Sequence, residues 1–298
     1  MQLSGRGVAL SLLASVLFAM VPGYVRLLEP LDGLQVFAHR VLWSIPAVLL
    51  LITLLGQWPN LIAACQRIRR EPMLMVFLPL AALLMGTQWF LFLWAPLQGR
   101  MLEISMGYFL TPLAMVLVGR IFYGERLRSL QRLAVFCALL GVAHELWRTG
   151  AFSWLVMLVT FGYPPYYMLR RRIGLDALTG LTFEMLLMAP VAIWLVVQYG
   201  STQLFAQTPQ LLWLLPGLAV LTSAAFASLI ASSRLLPLGL FGILSYVEPV
   251  LLFLVALVFL GEHFDSAQWL TYLPIWIAVV LVGVDSGRLL FKQARRPG

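Results

Sequence analysis

The sequence predicts an all-α integral membrane protein of ten transmembrane helices in two inverted five-helix repeats, with N- and C-termini cytoplasmic. Three observations predict it. Of 298 residues, 61% are hydrophobic and 11% charged, with a mean hydropathy of +0.93, which is too little polar surface to cover a soluble globule of that size. Apolar runs of about 17–24 residues, the length a helix needs to cross a bilayer at 1.5 Å per residue, recur ten times. A proline, glycine and glutamate pattern in the first half returns in the second.

The runs are taken in chain order. The first, 7–28, follows Arg6 and has no small-x-small cleavage site after it, so it reads as a retained helix rather than a signal peptide. The second, 33–55, carries His39, Arg40 and Pro46; the third, 72–96, carries Gln88 and Trp89; the fourth, 102–120, carries Tyr108, Thr111 and Pro112. The fifth and sixth cover 129–147 and 151–169. The seventh, 178–200, holds Glu184 and Pro190; the eighth covers 209–232; the ninth, 238–260, holds Tyr246, Glu248 and Pro249; the tenth is 267–287. With the N-terminus inside, sixteen of the twenty basic residues fall on cytoplasmic segments, Arg170, Arg171 and Arg172 among them. Such an excess is what cytoplasmic loops carry.

Repetition is visible at Ser105–Glu125, SMGYFLTPLAMVLVGRIFYGE, and Gly242–Glu262, GILSYVEPVLLFLVALVFLGE, where Pro112, Gly124 and Glu125 lie 137 positions before Pro249, Gly261 and Glu262. The chain therefore divides into a first repeat at 1–148, a second at 149–290 and a basic cytoplasmic tail at 291–298. A repeat with five crossings must run in the opposite sense the second time. Inverted repeats are a transporter signature, because one half rocking on the other exposes a shared midplane site to each side in turn.

Several functions are set aside. The net charge of +8 is spread singly or in short clusters between apolar runs rather than gathered on one face, so no nucleic acid is expected. Cys65 and Cys137 stand in no metal-ligand or redox spacing and read as packing residues. There is no GxxxxGK[ST], HExxH or GxSxG, so an enzyme, a cofactor, a metal and ATP hydrolysis are not expected. An ion or substrate gradient is left as the energy source.

The candidate site is drawn from residues that are costly in a membrane. Glu248 lies about 15 Å into the ninth run and Thr111 about 14 Å into the fourth, near the middle of a core roughly 30 Å thick. A carboxylate at that depth faces a cavity or a partner. Pro249 and Pro112 each remove a backbone N–H, so each is expected to break its helix and free a carbonyl; the alternative is a packing kink. Laying Pro46 on Pro190 places Arg40 on Glu184, each about 10 Å in from an opposite surface. That pairing reads as a gate or substrate clamp, or as a structural ion pair. Gln88, Trp89, Tyr108 and Tyr246 are mid-run polar and aromatic residues whose rings suit a bulky organic molecule or an amphipathic cation.

FAHRVLWSIP (37–46), LWAPLQGRMLEISMGYFLTPL (93–113) and LRRRIGLDALTGLTFEMLLMAP (169–190) resemble the RarD group of EamA-type permeases in the drug/metabolite transporter superfamily. The resemblance covers nearly the whole chain. It implies the cytoplasmic membrane of a bacterium, ten helices in two inverted repeats, and transport of small organic metabolites or drugs without ATP. The chain departs from the RarD pattern at His39, where tryptophan is expected, at Thr111, where asparagine precedes the proline, and at Glu248-Pro249, which is nearer the general EamA pattern. Expected partners are a small organic substrate, the lipid bilayer, a proton or other coupling ion and, as one option, a second copy in a homodimer. The competing reading is a non-transporting membrane scaffold or regulatory protein in which Arg40, Glu184 and Glu248 satisfy one another.

Overall fold

In hydrocarbon, backbone polar groups must be satisfied within the protein, and a chain of apolar runs does this by helix formation. The computed structural model describes residues 4–97, 101–150, 153–200, 202–251 and 269–294, and holds no strand among them. Its helices are α1 (Gly5–Arg26), α2 (Gly33–Leu54), α3 (Trp58–Arg70), α4 (Pro72–Leu97), α5 (Met101–Tyr123), α6 (Ser129–Thr149) and α7 (Trp154–Ile173). They continue with α8 (Ala177–Tyr199), α9 (Thr202–Gln207), α10 (Leu211–Leu235), α11 (Leu238–Leu244), α12 (helical at 247–251) and α13 (Trp269–Ala294). Among the described residues helix stands at all ten expected runs, and eight of these helices are long and apolar enough to cross a membrane. The described part of the ninth run, Leu238–Leu251, is turned at Ser245 and Tyr246 between α11 and α12, and positions 252–260 lie outside the described residues. Gly261, Glu262, Arg295 and Arg296 lie outside the described residues.

Hydropathy gave no notice of α3 and α9. At 13 residues α3 spans only about 20 Å, starts with Pro59 in its first turn and ends on Arg67, Arg69 and Arg70. Trp58 and Ile62 are exposed while Ala64 is buried, the two-faced composition of a helix that lies in a membrane interface. Cys65 is exposed on this helix, which corrects its expected packing role. Arg67 donates to both carboxylate oxygens of Glu71 at 2.8 and 3.0 Å and to the carbonyl of Ile173 at 2.9 Å. These hydrogen bonds hold the Glu71 carboxyl below its ordinary value.

The chain forms two compact units, each drawn from both sequence halves: Met1–Ala19, Arg100–Pro164 and Ala231–Gly298 in one, Met20–Gly99 and Pro165–Ile230 in the other. In the first unit α6 packs on α13 and α5 on α11. Gln131, early in α6, donates to Asp285, late in α13, at 2.9 Å. At the other ends of these helices, Thr271 donates to Glu145 at 2.7 Å and lies 3.0 Å from Nδ1 of His144. The pair is therefore antiparallel. Gly141 permits it, because a Cβ there would collide with the backbone of Thr271, and close backbone approach is what packs helices where no hydrophobic effect drives them together. In the second unit α2 packs on α8, with α4 against both. Gln35 at the start of α2 donates to the carbonyl of Tyr199 at the end of α8, so this pair too is antiparallel.

Candidate functional site

In the second unit, Arg40 on α2, Trp89 on α4 and Phe226 on α10 form one cluster. The Arg40 guanidinium carbon lies 3.9 Å from the centroid of the Trp89 ring and 5.8 Å from that of Phe226. Trp89 and Phe226 meet at 4.7 Å between centroids, and Phe37 sets its ring edgewise to Trp89 at 6.5 Å. Gln88 and Trp89 are 2% and 7% exposed. An arginine laid against a ring in this way is held by dispersion and by the ring quadrupole.

Glu184 is also fully buried, and its partners are not Arg40, with which the sequence left direct pairing open, but two residues of α7. Tyr166 donates to one carboxylate oxygen at 3.0 Å, and Nη1 of Arg170 stands 3.4 Å from the other. Arg170 further donates to the carbonyls of Asp176 and Ala177 at 3.4 and 3.2 Å. Tyr166 and Arg170 are one turn apart on α7 and share a face, which brings both to α8. Gly180 makes room, since any side chain there would collide with the guanidinium. Arg170, read from sequence as a cytoplasmic charge, is thus an interior residue. Sequence order hid it at the head of a run of three arginines; the four-residue spacing from Tyr166 was the available signal.

An apolar groove of about 500 Å³ in this unit is lined by His39, Leu42, Trp43, Pro46, Phe205, Leu212 and Leu215. None of the residues chosen from sequence lines it. Its walls have the chemistry of a lipid-facing surface.

In the first unit, Tyr108 and Tyr163 pair through their hydroxyls at 3.1 Å. Thr111 donates back to the carbonyl of Gly107 at 2.8 Å, and Thr160 reaches the same oxygen at 3.3 Å. Helix α5 runs unbroken through Pro112, which corrects the expected break there. Proline leaves the carbonyl ladder incomplete on the preceding turn, and it is on that turn that Tyr246 donates to the carbonyl of Phe109 at 2.8 Å. Gly242 allows the approach, as its Cβ would lie 2.8 Å from the carbonyl oxygen of Pro112.

The chain does turn ahead of Pro249. Tyr246 N–H and Glu248 N–H reach back only three residues, to Ile243 at 3.2 Å and Ser245 at 3.4 Å. The Glu248 side chain is half-buried, and its carboxylate has no hydrogen-bond or ion-pair partner among the described residues. A second carboxylate of this unit, read from the sequence only as a marker of the repeat, has a structural role: Glu125 accepts from the N–H groups of Leu238 and Gly239 at 2.6 and 2.7 Å, capping α11 from the end of α5. Among the described residues no cluster of acidic, histidine or cysteine side chains has metal-binding geometry.

Comparison with known proteins adds the following. The chain is 61% identical over 297 residues to the "chloramphenicol-sensitive protein RarD" of Pseudomonas aeruginosa, covering 99% of each chain. It is 35% identical to an uncharacterized transporter of Haemophilus influenzae, again over 99% of both, and 33% identical to "protein RarD" of Escherichia coli over 97% of both. A chain of known crystal structure, 17% identical, superposes with a TM-score of 0.71 over 95% of this chain and 98% of that one, a likeness of fold. No family model matches the sequence.

Proposed function

From the premise that this chain belongs to the RarD group of EamA-type permeases, and is a multi-pass bacterial membrane protein, we propose that it is a secondary transporter of small organic metabolites or drugs. It exposes a midplane cavity between its two five-helix repeats to each side of the membrane in turn. The observation that carries this reading is Glu248, a half-buried carboxylate in the turned ninth run with no partner among the described residues. A scaffold has no use for such a charge, whereas a transporter uses it to hold a proton, a coupling ion or a polar end of its substrate. The turn at Ser245 and Tyr246 is the kind of discontinuity that transporter helices place at their sites.

The helix pairs support inversion. Runs two and seven, four and nine, and five and ten are equivalent under the repeat, and these are the pairs α2 with α8, α5 with α11 and α6 with α13. Tyr246 bonds to Phe109, the position 137 residues before it, so equivalent positions meet, as they must near a pseudo-two-fold axis. We assign the outward direction by analogy with the family. Catalysis has no part in this function.

The test is accessibility to a membrane-impermeant maleimide. Single cysteines at positions 108, 111, 246 and 248, in a chain with Cys65 and Cys137 replaced by serine, are expected to label from both membrane sides. Labelling from neither side would instead favour the scaffold reading.

A further inference from the structure

Apolar surface on a membrane protein is ordinarily covered by lipid chains, and a polar side chain set into such a surface needs an answering group. The groove of about 500 Å³ between α2, α9 and α10 has one residue of that kind among its apolar lining, His39. This histidine is only 9% exposed, and its imidazole has no hydrogen-bond or ion-pair partner among the described residues. Its neighbour is the ring of Phe205, met in a T-shaped contact at 5.3 Å between centroids. At the floor of the groove Leu215 is 1% exposed, while Trp43 and Leu212 at its rim are 37% and 52% exposed, so the groove opens towards lipid.

The possible occupants differ in what they give His39. An acyl chain fills the volume and leaves both ring nitrogens unanswered. A buried water needs roughly two to four polar partners, and the lining offers one polar side chain. An ion would lie among apolar walls that hold no aspartate, glutamate, lysine or arginine. An apolar molecule with one hydroxyl suits both the walls and the imidazole, because a neutral imidazole has one donor and one acceptor nitrogen and a hydroxyl can meet either. The volume is in the range of sites that take drug-sized molecules.

We infer that this groove is a binding site for a neutral organic molecule with an apolar body and a single hydroxyl, taken from the bilayer and held by His39. The site stands apart from the transporter reading, since Glu248, Tyr108, Thr111 and Tyr246 do not line it.

The experiment is equilibrium binding of tritiated 4-phenylphenol to the purified full chain in phosphatidylcholine nanodiscs, with partition into empty nanodiscs subtracted. A saturable component is expected. Biphenyl, which lacks the hydroxyl, and biphenyl-4-carboxylate, which is charged, are expected to compete about tenfold more weakly than unlabelled 4-phenylphenol. His39→Phe keeps a ring and loses the nitrogens, and is expected to weaken binding by about the same factor. Leu212→Trp fills the mouth of the groove from an exposed position and should remove the saturable component; with the competition series it decides the matter where His39→Phe does not fold. Binding without saturation, as given by a groove filled with acyl chains, overturns the inference. Equal competition by biphenyl or by the carboxylate overturns it too, as does undiminished binding in either variant. None of these outcomes bears on two-sided maleimide labelling, which tests the transporter reading separately.

Discussion

Arg170 and Glu184 illustrate how a single pair of side chains ties two membrane helices. Both are fully buried, and the cost of removing them from water is offset in part by their mutual attraction, by Tyr166 and by two backbone carbonyls. Removing one partner leaves the other charge buried and uncompensated. Glu184→Ala and Arg170→Ala are each expected to lower stability by about 3–5 kcal/mol, and Arg170→Met with Glu184→Leu to recover much of the loss. A double-mutant cycle from unfolding in detergent measures this, and strictly additive losses would argue against the pair. Arg40, which the sequence alignment of Pro46 with Pro190 lays on Glu184, rests its guanidinium on the ring of Trp89. Charge type and repeat position were readable from the sequence. Partner choice was not, because Tyr166 and Arg170 reach Glu184 only through the packing of α7 on α8, and Gly180 had to be seen beside the guanidinium to matter.

Among the elements, α11 shows how a short helix is held at both ends. Its first N–H groups have no intrahelical acceptors, and Glu125 supplies them from α5, with negative charge at the positive end of the helix dipole. Its last turn is pinned where Tyr246 binds the carbonyl of Phe109. Glu125→Ala should cost about 1–2 kcal/mol of stability and speed amide hydrogen exchange at Leu238 and Gly239, with Glu125→Gln intermediate; unchanged exchange at those two amides would remove Glu125 as a cap. The long helices were legible from apolar length alone. The helices α3 and α9 were not, since both are too short to register as crossings; in the described part of the ninth run the turn falls at Ser245 and Tyr246, ahead of Pro249, while Pro112 lies within a continuous helix. A proline deletes one hydrogen bond wherever it falls, here the one to the carbonyl of Tyr108, and α5 runs on through it with Tyr246 bound to the next carbonyl, that of Phe109.

On the scale of the whole molecule, three helix pairs that the proposed repeat makes equivalent pack antiparallel within their units, although they come from distant parts of the chain. The proposed even number of crossings with both termini inside makes a direct prediction. Green fluorescent protein fused after Gly298 should fluoresce and alkaline phosphatase at the same point should be inactive, whereas phosphatase fused after Arg148, at the end of five crossings, should be active. Phosphatase activity at both points would mean an even number of crossings after Arg148 and would remove the inverted arrangement.

The sequence by itself determined that this is a helical membrane protein, where its long helices fall, and which charges are too costly to be incidental. These follow from transfer free energy and backbone satisfaction, which depend on composition within one run. Only the tertiary structure decided which residue answers each charge: Arg170 for Glu184, the rings of Trp89 and Phe226 for Arg40, two backbone N–H groups for Glu125. Those choices depend on which helix faces meet, and faces far apart in the chain are brought together by packing that no single run contains.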